Sequence, residues 1–104
     1  MPLIAEFFPD IEGFQWDEGN ASKSSAKHGV NWTEAEQVFM NRPVVVTGDV
    51  AHSGTEARHF CFGRTNEGRL LTVVFTVRGK RLRVISARPM SRRERTGYVQ
   101  ATRA

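Results

Sequence analysis

At 104 residues, with 39% hydrophobic and 25% charged positions, the chain has the material for one ordinary globular domain with a modest core. No apolar run approaches the ~18 residues of a membrane span. Met1 to Gly13 carries Glu6, Asp10 and Glu12 without the basic stretch of a secretory signal. The single cysteine, Cys61, excludes an intramolecular disulfide, so a reducing cytoplasm is the expected location. The net charge of +4 hides an asymmetry. Residues 1–56 hold three basic and nine acidic side chains, net −6, and residues 57–104 hold twelve basic and two acidic, net +10. Eleven of those twelve are arginine, the side chain suited to bidentate phosphate contacts, which points toward a nucleic-acid partner.

In chain order, residues 1–13 show no clean period and are expected to form an N-terminal extension, with the main domain over 14–104. Phe14-Gln15-Trp16 alternates as a brief strand does. Asp17 can cap a helix running to about His28, stopped by Gly29, although Gly19 and three serines weaken it. A second helix begins near Asn31 to Thr33. Thr33 with Glu36 has capping-box spacing, and Asn31 with Glu34 offers another register. Ala35, Val38 and Phe39 mark its apolar side. After Asn41-Arg42-Pro43 the pattern changes to strands: Val44 to Thr47, Arg58 to Thr65, Arg69 to Val77 and Arg81 to Arg88. Short turns at Asn66-Glu67-Gly68 and Arg78-Gly79-Lys80 link the last three into a meander. Leu70 to Phe75 is nearly continuous apolar and is expected to be the central strand. His59, Cys61 and Gly63 share one face and Phe60 and Phe62 the other. Leu82 and Val84 likewise oppose Arg81 and Arg83. Ser91 with Glu94 has capping-box spacing for a final helix to about Ala101. Segregated helices and an antiparallel sheet of about four strands define an α+β fold, with two N-terminal helices and one C-terminal helix.

His59 and Cys61 stand two apart on one strand, but no second pair completes a zinc site, so no metal and no cofactor are expected. Cys61 between two phenylalanines reads as packing rather than as a nucleophile. The remaining constellation is basic. Arg58 and Arg64 share one strand face, Arg81 and Arg83 share another, and Arg88, Arg92, Arg93 and Arg95 cluster where the last strand meets the last helix. Each taken alone reads as surface solvation, but three neighbouring elements carrying arginine suggest a positive cleft for a phosphate backbone. Few groups can move protons: His28, His52, His59, Glu56, Glu94 and Tyr98. His28 doubles as a helix C-cap, Glu94 as a cap and Tyr98 as a docking residue.

Phe14-x-Trp16-Asp17, Lys27-His28-Gly29-Val30, Glu34-Ala35-x-x-Val38-Phe39, Glu56-x-Arg58, Gly63-Arg64, Gly68-Arg69-Leu70-Leu71-x-Val73-Val74-Phe75, Arg83-Val84-Ile85-Ser86-Ala87-Arg88 and Arg92-Arg93-Glu94-x-x-x-Tyr98 occur in that order. Together they resemble the BrnT family, the toxin halves of type II toxin–antitoxin pairs. The resemblance implies a RelE-like fold, a basic concave face that cleaves RNA, and a cognate BrnA-like ribbon-helix-helix antitoxin. The expected complex is two-plus-two, and it touches operator DNA only through the antitoxin. Metal-independent cleavage uses the RNA 2′-hydroxyl as nucleophile and needs a base, an acid and cations for the developing charge. On this reading Arg64, Arg83 and Arg88 hold the scissile phosphate, and His28 or Glu56 supplies the base or acid. Arg58, Arg81, Arg92, Arg93 and Tyr98 hold the flanking RNA, whereas Arg69, in a turn, is expected to matter little. The alternative is a domain that binds nucleic acid or its antitoxin without catalysis.

Overall fold

The structure, a computed structural model, describes residues 10–17, 19, 27–48 and 57–103. Among them five strands form one sheet in the order β1-β5-β4-β3-β2. These are β1 (Gly13–Phe14), β2 (Val45–Gly48), β3 (His59–Arg64), β4 (Leu70–Arg78) and β5 (Arg81–Pro89). Two helices with described bounds, α1 (Trp32–Met40) and α2 (Arg92–Thr102), complete the architecture. Gly19, Lys27 and His28 are also helical, but most of the helix predicted over 17–28 lies outside the described residues.

The α+β class stands, and the strand count is corrected. β2 to β5 pair antiparallel as the alternation and short turns require, and β4 is central. The fifth strand pairs parallel to β5, with Gly13 opposite Arg81 and Phe14 opposite Leu82, so the sheet is mixed. Glu12 N–H donates to Lys80 O at 2.8 Å and Gln15 N–H to Leu82 O at 2.9 Å, extending that ladder. The brief strand expected at Phe14-Gln15-Trp16 is thus present but covers Gly13–Phe14, and alternation says nothing about strand direction. Ile11, inside the predicted extension, is fully buried in the core.

The β4–β5 hairpin turns through Gly79 at φ +61°, a conformation in which a Cβ would be strained. The pairing shifts register between Val74 and Phe75, where Ile85 on β5 is the extra residue. The bulge keeps Leu82, Val84 and Ala87 buried on one face and Arg83, Ser86 and Arg88 on the other.

The first face is the core. Phe39 of α1 meets Phe75 edge-on at 5.1 Å and Phe14 at 5.5 Å between ring centres. Gly63 lets α1 approach: a Cβ there would lie 2.9 Å from Val38 Cγ1 and 3.2 Å from Val38 O. Cys61 is fully buried here, and burial pushes its thiol well above the usual range, as packing requires. His59 lies against Phe75 on the same face, and burial lowers its pKa.

Helix α1 is capped by Asn31, whose side chain accepts from Glu34 N–H while Glu34 reaches back to Asn31 N–H. The register beginning at Thr33 is therefore not the one used. Glu36, its would-be partner, instead accepts from Trp16 Nε1–H at 2.7 Å. Arg69 donates to Gly29 O at 3.1 Å and to both oxygens of Glu34 at 3.2 Å. It ties the β3–β4 turn to the start of α1, a structural role that its position in a turn conceals.

Candidate functional site

Among the described residues, α2 is the element that packs on the second sheet face, at the end near Thr72. Ser91 caps α2 in a capping box with Glu94, as the spacing predicts. Glu94 then binds the sheet. Its carboxylate accepts from Arg88 Nη1 at 2.6 Å, from Arg88 Nη2 at 2.8 Å and from Thr72 Oγ1 at 3.0 Å. Farther along the helix, buried Tyr98 donates its hydroxyl to Pro43 O at 2.6 Å, at the entry to β2. Burial raises the Tyr98 pKa. These two anchors hold a helix whose remaining surface is mostly exposed.

Among the described residues the rest of the face is a strip running from α2 to Arg83, termed the groove. Its floor is built by Phe60 and Phe62 of β3, with ring centres 6.0 Å apart, and by half-buried Val74 and Ser86. Thr76 closes the far end by donating to Ala57 O at 2.7 Å. There Arg83 Nη1 lies 2.8 Å from Asp17 Oδ2, with the arginine side chain 20% exposed and the aspartate 57%.

The predicted arginines are thereby dispersed. Arg64 pairs with Leu70 and Arg83 with Thr76, six positions apart on β4, which places them roughly 20 Å apart along the strands. They cannot grip one phosphate together. Arg64 Nη2 donates to Arg42 O at 2.9 Å. Arg88 lies on the groove face but is engaged bidentately by Glu94, which raises its pKa. Arg58 is exposed just before β3, Arg81 is exposed where the β4–β5 turn enters β5, and Arg92 and Arg93 are exposed in the first turn of α2. Tyr98 is a docking residue. His28 ends a helical turn before Gly29 at φ +66°. Gly29 is bound to Arg69 beside the start of α1, on the layer opposite the groove. Glu56 lies outside the described residues.

Three participants were not anticipated from sequence: Asp17 as the partner of Arg83, Thr72 as the third ligand of Glu94, and the phenylalanine floor. Only the last left a readable trace, the alternation Arg58-x-Phe60-x-Phe62-x-Arg64. Among the described residues no cluster of three or more His, Cys, Asp or Glu could hold a metal ion. Nor is any helix among them long and apolar enough to cross a membrane.

The Arg88–Glu94 pair makes a pH prediction. The hydrogen bond from Arg88 outweighs burial and holds the Glu94 carboxyl down to about 2. An unperturbed glutamate titrates near ~4.3. The stabilisation is therefore fully present above about pH 4.5 and is lost as pH falls toward about 2. In urea titrations the stability gap between the parent and Glu94→Gln should be constant from neutral pH down to about 5 and narrow below it. A gap independent of pH would remove this role from Glu94.

A groove walled by a short helix, floored by aromatics and rimmed by arginine can hold an extended anionic polymer. Among solved structures, the 1.1 Å crystal structure of the Brucella abortus ribonuclease toxin BrnT is similar. The TM-score is 0.57 at 25% identity, covering 77% of this chain and 97% of that one. No curated protein sequence matches the chain. Residues 16–94 match the family described as the ribonuclease toxin BrnT of type II toxin–antitoxin systems. That span runs from the β1 exit through every described strand after it to Glu94, and the chain belongs to the BrnT toxin family.

Proposed function

We propose that this toxin is a metal-independent endoribonuclease with a RelE-like architecture, acting in the cytoplasm on RNA bound across the groove between α2 and the far end of β5. The observation that carries the reading is the arginine-rimmed second sheet face in a chain of a ribonuclease toxin family. Arg83 is the leading ligand of the scissile phosphate, because it stands on the groove face with an exposed carboxylate that RNA can displace. Arg88, on the same face, contacts an adjacent phosphate. Arg58, Arg92 and Arg93 hold the flanking strand. Arg64 supports it from beyond Tyr98, and Arg81 from the hairpin end.

The attacking 2′-hydroxyl loses its proton to a base, and the departing 5′-oxygen receives one from an acid. Glu56 is one candidate for this work. His28, on the layer opposite the groove, would serve only if the reacting phosphate lay on that layer instead. A cognate BrnA-like ribbon-helix-helix antitoxin, in a two-plus-two complex, would cover the same basic face and carry the complex to operator DNA.

The test is incubation of the purified chain with single-stranded RNA and with the matched DNA, each with and without EDTA. RNA fragments ending in 2′,3′-cyclic phosphate, EDTA-resistant and absent from DNA, are the expected products. Cut DNA or EDTA-sensitive cleavage would overturn the mechanism. The alternative, a binding domain without catalysis, draws on one observation: Arg83 and Arg88 are both held by carboxylates in the free chain. RNA retained but uncut, with no growth arrest on induction, would favour it.

A further inference from the structure

Between α2 and the sheet lies an apolar cavity of about 180 Å³ that the mechanism above does not use. Its lining is Val45 and Phe62 from the sheet and Glu94, Gly97, Tyr98 and Ala101 from α2. Those four helix positions follow the i, i+3, i+4, i+7 spacing of a single stripe. Gly97 is the anomaly. Glycine inside a helix costs about 1 kcal/mol relative to alanine. Here no close packing demands it, since a Cβ at Gly97 would meet nothing within 4 Å. No positive φ demands it either: among the described residues the glycines with positive φ are Gly29, Gly68 and Gly79. A residue that weakens its own element without easing any contact in the free chain marks space kept for something else.

We infer that this cavity is a nucleobase pocket, in which one unpaired base of the RNA strand seats against the Phe62 ring beneath Gly97 and Ala101. The inference rests on RNA being the substrate and adds a subsite to it. An apolar cavity of about 150 Å³ is enough to hold a benzene ring, so a planar base is of the right order. Phe60 continues the floor two residues along β3, roughly 7 Å away, with its ring 6.0 Å from that of Phe62. Single-stranded nucleic acid is held in this way, by bases on aromatic rings with cations along the backbone. The cations are present. Arg92 and Arg93 are exposed in the first turn of α2, where the helix dipole disfavours positive charge, so an anion passing there would relieve an existing repulsion.

The test uses the full chain and a 2′-O-methyl RNA oligonucleotide, which keeps its bases but cannot be cleaved by its own 2′-hydroxyl. A companion series carries a single abasic position at successive sites. The variants are Gly97→Leu, which fills the space with a good helix former, and Phe62→Leu, which removes the ring. The parent should lose about tenfold in affinity when one particular base is removed. Gly97→Leu should bind about tenfold more weakly than the parent, be indifferent to the abasic position, and melt no lower than the parent. Phe62→Leu should show the same indifference. If Gly97→Leu binds as the parent does, or if no abasic position matters, the pocket is overturned while the RNA reading survives. If the parent binds no RNA at all, both fall. If Gly97→Leu leaves RNA binding intact but releases the antitoxin, the cavity belongs to the protein partner and the inference is wrong.

Discussion

Arg83→Ala should abolish growth arrest and lower RNA cleavage by about a hundredfold or more, with the fold retained. The magnitude is that of removing one preorganised donor from a developing charge. Retention of the fold follows from the surroundings. The Asp17 carboxylate is largely exposed, and ion pairs of that kind contribute about 0–1 kcal/mol. The companion variant separates the two roles open to Arg83. If it serves catalysis, Asp17→Asn frees the guanidinium, and cleavage should hold or rise. If it serves only to pin the β1 exit to β5, then Asp17→Asn and Arg83→Ala should lose activity together and melt lower together. Cleavage rates read beside thermal melts decide the matter. Full toxicity in Arg83→Ala would put the reacting phosphate elsewhere on the groove.

Phe39→Ala should be the most damaging single truncation on α1. Phe39 is almost fully buried and sits between Phe14 and Phe75, so it joins the helix, the parallel edge strand and the central strand. Emptying such a site costs about 3–5 kcal/mol in lost transfer energy and cavity formation. Domains of this size have about 5–15 kcal/mol in total. The expected outcome is a fall in melting temperature of roughly 12 °C or more, and an earlier urea midpoint with an unchanged slope. RNA binding by the fraction still folded should be near normal, because the groove lies on the other face. A loss below about 1 kcal/mol would mean that α1 repacks, and that the aromatic chain is not what holds the layers together.

The part of the fold that could be read from residues alone is the part that local chemistry dictates. Short turns around Gly68 and Gly79 make β3 pair with β4 and β4 with β5, and the unbroken apolar run of β4 marks it as the central strand. The α2 cap was readable because Ser91 and Glu94 are three residues apart. The cap of α1 was readable only as a choice of two registers. Which register wins is decided from a distance, by Trp16 taking Glu36 and Arg69 taking Glu34. A brief strand at Phe14 was readable, but its parallel pairing was hidden for the same reason: Gly13 and its partner Arg81 are remote in sequence.

The site divides along the same line. Residue order alone establishes that the positive charge is mostly arginine and sits in the second half of the chain. It also places Phe60 and Phe62 on one face with Arg64, because charge counts and strand alternation are local properties. Which arginines stand together is fixed by the fold. It set Arg64 and Arg83 at opposite ends of the sheet, joined Arg88 to Glu94 and Arg83 to Asp17, and turned Tyr98 inward to Pro43. Those pairings depend on register, on a β-bulge and on where α2 crosses the sheet. Each is set by packing between residues far apart in the chain, which no short pattern can encode.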